Sequence, residues 1–157
     1  MRENIKRIYV DSSVVYGAPA KEFSEESRQF WNTVRNRKIV IIASDVLADE
    51  IERAPQRVQE LYRMIPESQI ERVESTDESD MLAERYVAEG VVEESSLDDC
   101  RHIALATLNK VDSLVSWNFK HIVYRRAGYN DVNEKLGYPG IAIQTPKQFM
   151  EAHHDET

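Results

Sequence analysis

The chain has a single cysteine, Cys100, which excludes an internal disulfide and any zinc site built from cysteines. Cys100 stands within an apolar helical stretch, where a buried structural thiol is the ordinary outcome and a reactive one the exception. No apolar run reaches membrane length and no basic-then-apolar leader follows Met1, so the expectation is a soluble, cytoplasmic protein with no membrane partner. A Gly-rich turn ending in Lys and Ser or Thr is absent, which removes the common phosphate-cradling loop. No Gly-x-Ser-x-Gly elbow is present to suggest a serine hydrolase. Excess positive charge is missing too. With 28 acids against 20 lysines and arginines the formal charge is −8, which argues against coating nucleic acid through general basicity. An enzyme that meets a phosphodiester through a bound cation is not excluded, because its own site must be acidic.

What is present is alternation. A buried strand is expected at 5–10, "IKRIYV", ending in "DSS". A helix follows over 24–37, with Phe30, Trp31 and Val34 at helical spacing, then a strand at 38–43. Ser44 is the expected N-cap of a helix over 44–53 that Pro55 ends, and a further helix spans 56–65 before Pro66. A short strand is placed at 70–75 and a helix at 77–90, closed by Gly90. Helix 95–111 precedes a strand at 112–118; 119–137 forms one or two helices; 141–145 is the last strand. Pro146 opens a terminal helix over 146–154. The expected fold class is α/β, a three-layer α/β/α sandwich around a mostly parallel sheet. Residues 1–152 are expected to form one domain and 153–157 a disordered tail.

Ligands of such sheets collect at the carboxyl ends of strands, near the point where strand order reverses. Asp11 ends the first strand and Asn118 the strand at 112–118. Asp99 stands in the first turn of the helix leading into that later strand. Glu50 lies one to two turns into the helix after strand two. Topology therefore permits a cluster of Asp11, Glu50 and Asp99. Taken singly each acid has a plainer explanation. Asp98 and Asp99 complement a helix dipole, and Ser96 with Asp99 approximates a capping box. Glu50 has Asp49 and Glu52 as neighbours on a charged helix, and Asp11 can belong to a turn. His102 alone suits a hydrogen-bonded core histidine, and Trp117 and Phe119 suit packing.

Four segments in order, "YVDSS", "SDVLADEIE", "DDCRHIALA" and "LVSWNFKHI", resemble the PIN-domain family, and within it the small ribonucleases that serve as VapC-type toxins. The resemblance covers nearly the whole chain. It implies an endoribonuclease dependent on Mg²⁺ or Mn²⁺, with RNA as substrate, a small antitoxin as partner and pairing into homodimers. Apolar helices at 24–34 and 56–65 offer surfaces for that pairing. Carried over residue by residue, Asp11, Glu50 and Asp99 match the metal-site acids, and Ser13 matches the hydroxyl or amide residue two places after the first acid. Asn118 falls where many members have a fourth acid, a departure that leaves a weak or silent RNA- or partner-binding module as the alternative. The segment "SWNFKH" resembles a recurring subgroup variant of the family, His102 fits that subgroup too, and Ser116 joins it as a residue beside the site. Asp98 stands either behind the metal ligands or in place of the acid missing at 118. Arg101, Lys120, His121, Arg125 and Arg126 are the basic residues near the expected site. An aspartyl-nucleophile phosphatase built on Asp11 is disfavoured, since Ser13 stands where the second acid is needed.

Overall fold

The structure is a computed structural model that describes residues 5–17 and 20–152. Five strands, β1 (Lys6–Val10), β2 (Ile39–Ser44), β3 (Ile70–Val73), β4 (Ser113–Val115) and β5 (Ala142–Gln144), form one sheet in the order β3-β2-β1-β4-β5. Every pairing is parallel. The helices are α1 (Ser12–Tyr16), α2 (Ser24–Asn36), α3 (Asp45–Glu52), α4 (Gln56–Arg63), α5 (Asp77–Ala88), α6 (Leu97–Leu108), α7 (Arg126–Lys135) and α8 (Pro146–Ala152).

Side chains alternate across a strand, and the two faces of the sheet feed two separate cores. Tyr9, Ile42, Leu114 and Ile143 point to the face covered by α5, α6 and α7. Ile8, Val10, Ile41, Ala43 and Val115 point to the other, covered by α1 to α4 and α8. Burial on both faces is why these strands are short β-branched runs rather than alternating polar ones. The expected three-layer α/β/α arrangement is the observed one.

Local signals explain most boundaries. Ser44 ends β2, and its hydroxyl accepts from the Leu47 N–H (3.1 Å), capping α3. Helix α5 closes at Gly90, whose φ of +80° suits a residue without Cβ. Pro146 occupies the first position of α8, where its missing N–H costs nothing. The stretch 119–137 resolves into a single 3₁₀ turn at Val123–Arg125 and then α7.

One element was not expected, and one expectation needs correction. The chain does not simply turn after β1: Ser12–Tyr16 form a one-turn helix, α1, with Asp11 at its N-cap position. The capping box expected at α6 is not made. Ser96 holds the N-cap position without a side-chain cap bond, and its hydroxyl instead meets His121 Nδ1 (3.1 Å). The tail expected at 153–157 lies outside the described residues.

Helices α2 and α8 are joined by an edge-to-face pair, Phe30 on Phe149 at 5.4 Å, both fully buried. Phe30→Ala is expected to destabilise the fold by roughly 3–5 kcal/mol, read from urea unfolding, with the m-value unchanged.

Candidate active site

Winding runs from β1 outward to β2 and β3, then returns past β1 to β4 and β5. The reversal lies between β1 and β4, so the loops leaving these two strands part there and open a crevice at their carboxyl ends. Asp11 leaves β1 and Ser116, Trp117 and Asn118 leave β4 at this point.

Asp11 is only 4% exposed, yet both carboxylate oxygens are satisfied. Ser13 Oγ donates to Oδ1 (2.5 Å) and Ser116 Oγ donates to Oδ2 (2.8 Å). Each serine has one proton and gives it to Asp11, so each hydroxyl oxygen is left to accept. Ser13 accepts from the Trp117 N–H and Ser116 from the Asn118 N–H, both at 2.9 Å. The backbone after β4 is thereby tied, through two serines, to the acid after β1.

Glu50 is held from behind. His102, buried in α6, places Nε2 at 2.7 Å from Glu50 Oε1 and Nδ1 at 2.6 Å from the Tyr9 hydroxyl, which lies 2.6 Å from Ser44 Oγ. The carboxylate can only accept, so Nε2 donates to it. With His102 neutral, one direction satisfies the rest: Leu47 N–H to Ser44, Ser44 to Tyr9, Tyr9 to Nδ1. Upon protonation Nδ1 becomes a donor and the tyrosine hydroxyl reverses toward Ser44. Either way Oε1 is engaged and Oε2 makes no bond to a described residue.

Asp11, Glu50, Asp99 and Asn118 line one cavity of ≈ 510 Å³, with Ser13, Tyr16, Arg57 and Trp117 also in its wall. Asp98 turns away: its side chain is 56% exposed and pairs with Arg101 at 2.5 Å. The Asn118 carboxamide is partly spent. Its Oδ1 accepts from the His121 N–H (3.0 Å), capping the turn that follows, so the amide nitrogen is left to face elsewhere. His102, Ser116 and Tyr9 stand behind the cavity. Arg57 and Tyr9 were not anticipated. Arg57 reaches the cavity through packing of α4 against α1, which leaves no local mark in sequence. Tyr9 did leave one: a tyrosine inside an apolar strand must find a partner for its hydroxyl.

The electrostatics follow from burial. Desolvation raises the Asp11 carboxyl above its ordinary value; the His102 charge and the two serine hydroxyls pull it back, and Glu50 adds to the rise. Asp99 is raised for the same first reason, with Asp11 and Glu50 adding to it against the two nearby histidines. Burial works to lower His102, but the Glu50 bond and charge, with Asp11 and Asp99, outweigh it and leave His102 raised. Among the described residues no ion pair joins Asp11 or Asp99 to a lysine or arginine.

No three acids, histidines or cysteines among the described residues converge as a ready-made metal cage. The donor set nevertheless suits a hard divalent cation. It consists of carboxylate and amide oxygens around a cavity, with Asp11 buried, Glu50 and Asp99 half-buried, and no lysine or arginine paired with Asp11 or Asp99 among the described residues. Mg²⁺ asks the protein for only one or two direct ligands and keeps its waters, so lining a cavity is enough. Asp11 and Asp99 would hold such an ion directly, and Glu50 Oε2 would hold one of its waters.

No family model matches the chain, and no curated protein sequence matches it. Solved structures do. VapC20 of Mycobacterium tuberculosis, described as a sarcin-ricin loop cleaving toxin, aligns with a TM-score of 0.54 at 11% identity over 86% of this chain and 98% of its own. A chain of VapBC2 from Rickettsia felis, solved bound to a DNA fragment from its promoter, aligns with a TM-score of 0.54 at 11% identity, over 88% and 98%. The fold is the VapC-type PIN fold.

The pH dependence of stability follows from the three raised groups. A carboxyl raised on folding costs stability above its folded pKa, and the cost fades as pH falls. A histidine raised on folding contributes fully below its unfolded value and is lost as pH rises through the folded one. All three act in one direction. In EDTA, Tm should rise as pH falls through the His102 step, and Asp11→Asn, which removes one of the charges that raise His102, should flatten that slope in the same thermal scan.

Proposed function

We propose that the chain is a metal-dependent endoribonuclease, the toxin of a toxin–antitoxin pair. The observation that carries this reading is the meeting of Asp11, Glu50 and Asp99, from three separate elements, around one cavity at the switch point of a VapC-type sheet. Bound Mg²⁺ or Mn²⁺ supplies a polarised phosphodiester and a nucleophilic water at neutral pH. The chain supplies position. Asp11, clamped by Ser13 and Ser116, cannot swing, so its remaining lone pairs stay aimed at the cavity. Glu50, with Oε1 tied to His102, orients the attacking water through Oε2 and takes its proton. Asn118 adds no charge. Its free amide N–H groups suit a non-bridging phosphate oxygen better than a cation, so the site is read as holding one metal tightly.

A second cavity of ≈ 510 Å³ lies between α1, α2 and α4, lined by Val15, Trp31, Leu61 and Met64 among others. It shares Tyr16, Gly17 and Arg57 with the acid cavity. We assign this groove to the antitoxin rather than to a second copy of the chain, because a segment lying in it can extend a lysine or arginine onto the carboxylates. No helix among the described residues is long and apolar enough to cross a membrane. Pairing into a homodimer is proposed as well, to be read by sedimentation.

Purified protein incubated with a mixed RNA pool should cut it with Mg²⁺ or Mn²⁺ and not with EDTA, and Asp11→Asn should lose activity by more than about a hundredfold. Absence of cutting with either metal, together with no Mn²⁺-dependent rise in Tm, would leave a binding module and discard the enzyme. Asn118→Asp provides the converse test. Aspartate keeps the acceptor for the His121 N–H while adding a charge to the cavity, so Mn²⁺ should bind about tenfold more tightly by calorimetry with the fold unchanged.

A further inference from the structure

The segment leaving β4 carries more than Asn118. Trp117 lines the acid cavity, and from it a line of aromatic rings runs outward. Trp117 packs on Phe23 at 5.1 Å and lies 6.1 Å from Phe119, which itself packs on Phe23 at 5.9 Å. Phe119 in turn meets Tyr124 at 5.6 Å with the rings tilted by 39°. Trp117 is buried and Phe119 half-buried, whereas Tyr124 is 75% exposed. A large ring held from behind and open in front is an unusual use of a tyrosine, since burial normally absorbs that area. Nor is its hydroxyl engaged with any described residue.

Charge on the same turn is the second observation. Lys120, Arg125 and Arg126 are exposed, and among the described residues none of them forms an ion pair. Several cations elsewhere are paired with acids: Arg28 with Glu25, Arg72 with Glu67, Arg85 and Lys135 with Glu89, Arg101 with Asp98. In a chain of net charge −8, three exposed and unpaired cations within four residues of one presented aromatic ring put positive charge beside it in the chain.

We propose that Tyr124 is a stacking platform for an unpaired base of RNA, next to the phosphodiester held at the acid cavity, with Lys120, Arg125 and Arg126 taking the flanking phosphates. The inference rests on the nuclease reading and adds the substrate's form: single-stranded or looped at this position, because a base paired in a helix has no free face to offer. An aromatic face with cations beside it is the combination by which single strands are bound without strict sequence preference. An acidic protein segment would satisfy the cations but leave the ring without a planar partner, so RNA is favoured over protein. Two ring-to-ring steps separate Tyr124 from the cavity wall, within reach of a nucleotide next to the one being cut.

The test uses the full chain carrying Asp11→Asn, Mg²⁺, and single-stranded RNA oligomers with 2-aminopurine walked through each position. One position should change fluorescence on binding. Tyr124→Phe keeps the ring and should retain both that signal and the affinity. Tyr124→Ala and Tyr124→Leu should lose the signal and weaken binding about tenfold, with Tm unchanged because the side chain is exposed. Arg125→Ala and Arg126→Ala should each lower the salt slope of binding by about one. Equal affinity and equal signal in all Tyr124 variants overturn the proposal, as does a Tyr124→Ala protein that binds RNA normally but fails to bind its antitoxin. If the unmutated protein cuts RNA while the Tyr124 variants do so with unchanged KM, the platform alone falls. If it neither cuts nor binds RNA, the nuclease reading falls and the platform with it.

Discussion

The buried Asp11 carboxylate is the constraint on which the rest of this edge depends. A carboxylate with almost no solvent must find donors, and the fold provides two hydroxyls from chain segments about a hundred residues apart. Those hydroxyls are themselves fixed by N–H groups of the backbone leaving β4. Satisfying one acid therefore ties β1 to β4 at the place where the sheet reverses its winding.

The second anchor works through the sheet rather than along its edge. Ser44, Tyr9 and His102 link the cap of α3 to Glu50 on the same helix, passing through the core under α6. Tyr9 and His102 are fully buried, so each polar atom in the chain is obliged to keep its partner. Glu50 is set by a network buried in the core, while Asp11 is set by one at the strand ends. Asp99 is placed more simply, by its position in the first turn of α6, the helix that leads into β4. Three acids from three elements, each oriented by a different device, meet without touching.

Much of this was legible in the residues. The β-branched runs, the Ser44 cap, Gly90 and Pro146 marked the elements, and alternation of strand and helix carried the parallel sheet. Asp11, Glu50, Asp99 and Asn118 could be placed at one edge because parallel strands put their carboxyl ends together. What stayed hidden was long-range partner choice. Nothing around Ser96 reveals that its hydroxyl prefers His121 to its own helix, and a serine-rich "DSS" gives no hint that the next turn is helical. Asp98 and Asp99 look equivalent in sequence. They differ because neighbouring helical residues point about 100° apart, so one faces the cavity and the other pairs with Arg101.

Asn118 is where local geometry and chemistry meet. A residue at this position has two jobs: its oxygen caps the turn that carries His121 onward, and its remaining atoms face the crevice. Aspartate and asparagine do the first equally well, so the turn places no demand on charge. The second job is what the choice decides. An acid there would add to three carboxylates that already repel one another and a phosphate. An amide lowers that repulsion and leaves N–H groups as donors. On the proposed function this also bears on the surroundings, since an acidic protein must offset its own field where a polyanion approaches. Arg57 stands at one side of the crevice and Lys120, Arg125 and Arg126 follow it in the chain on the other. None of the four forms an ion pair among the described residues, so on the proposed function these cations, rather than the net charge, would meet the RNA backbone.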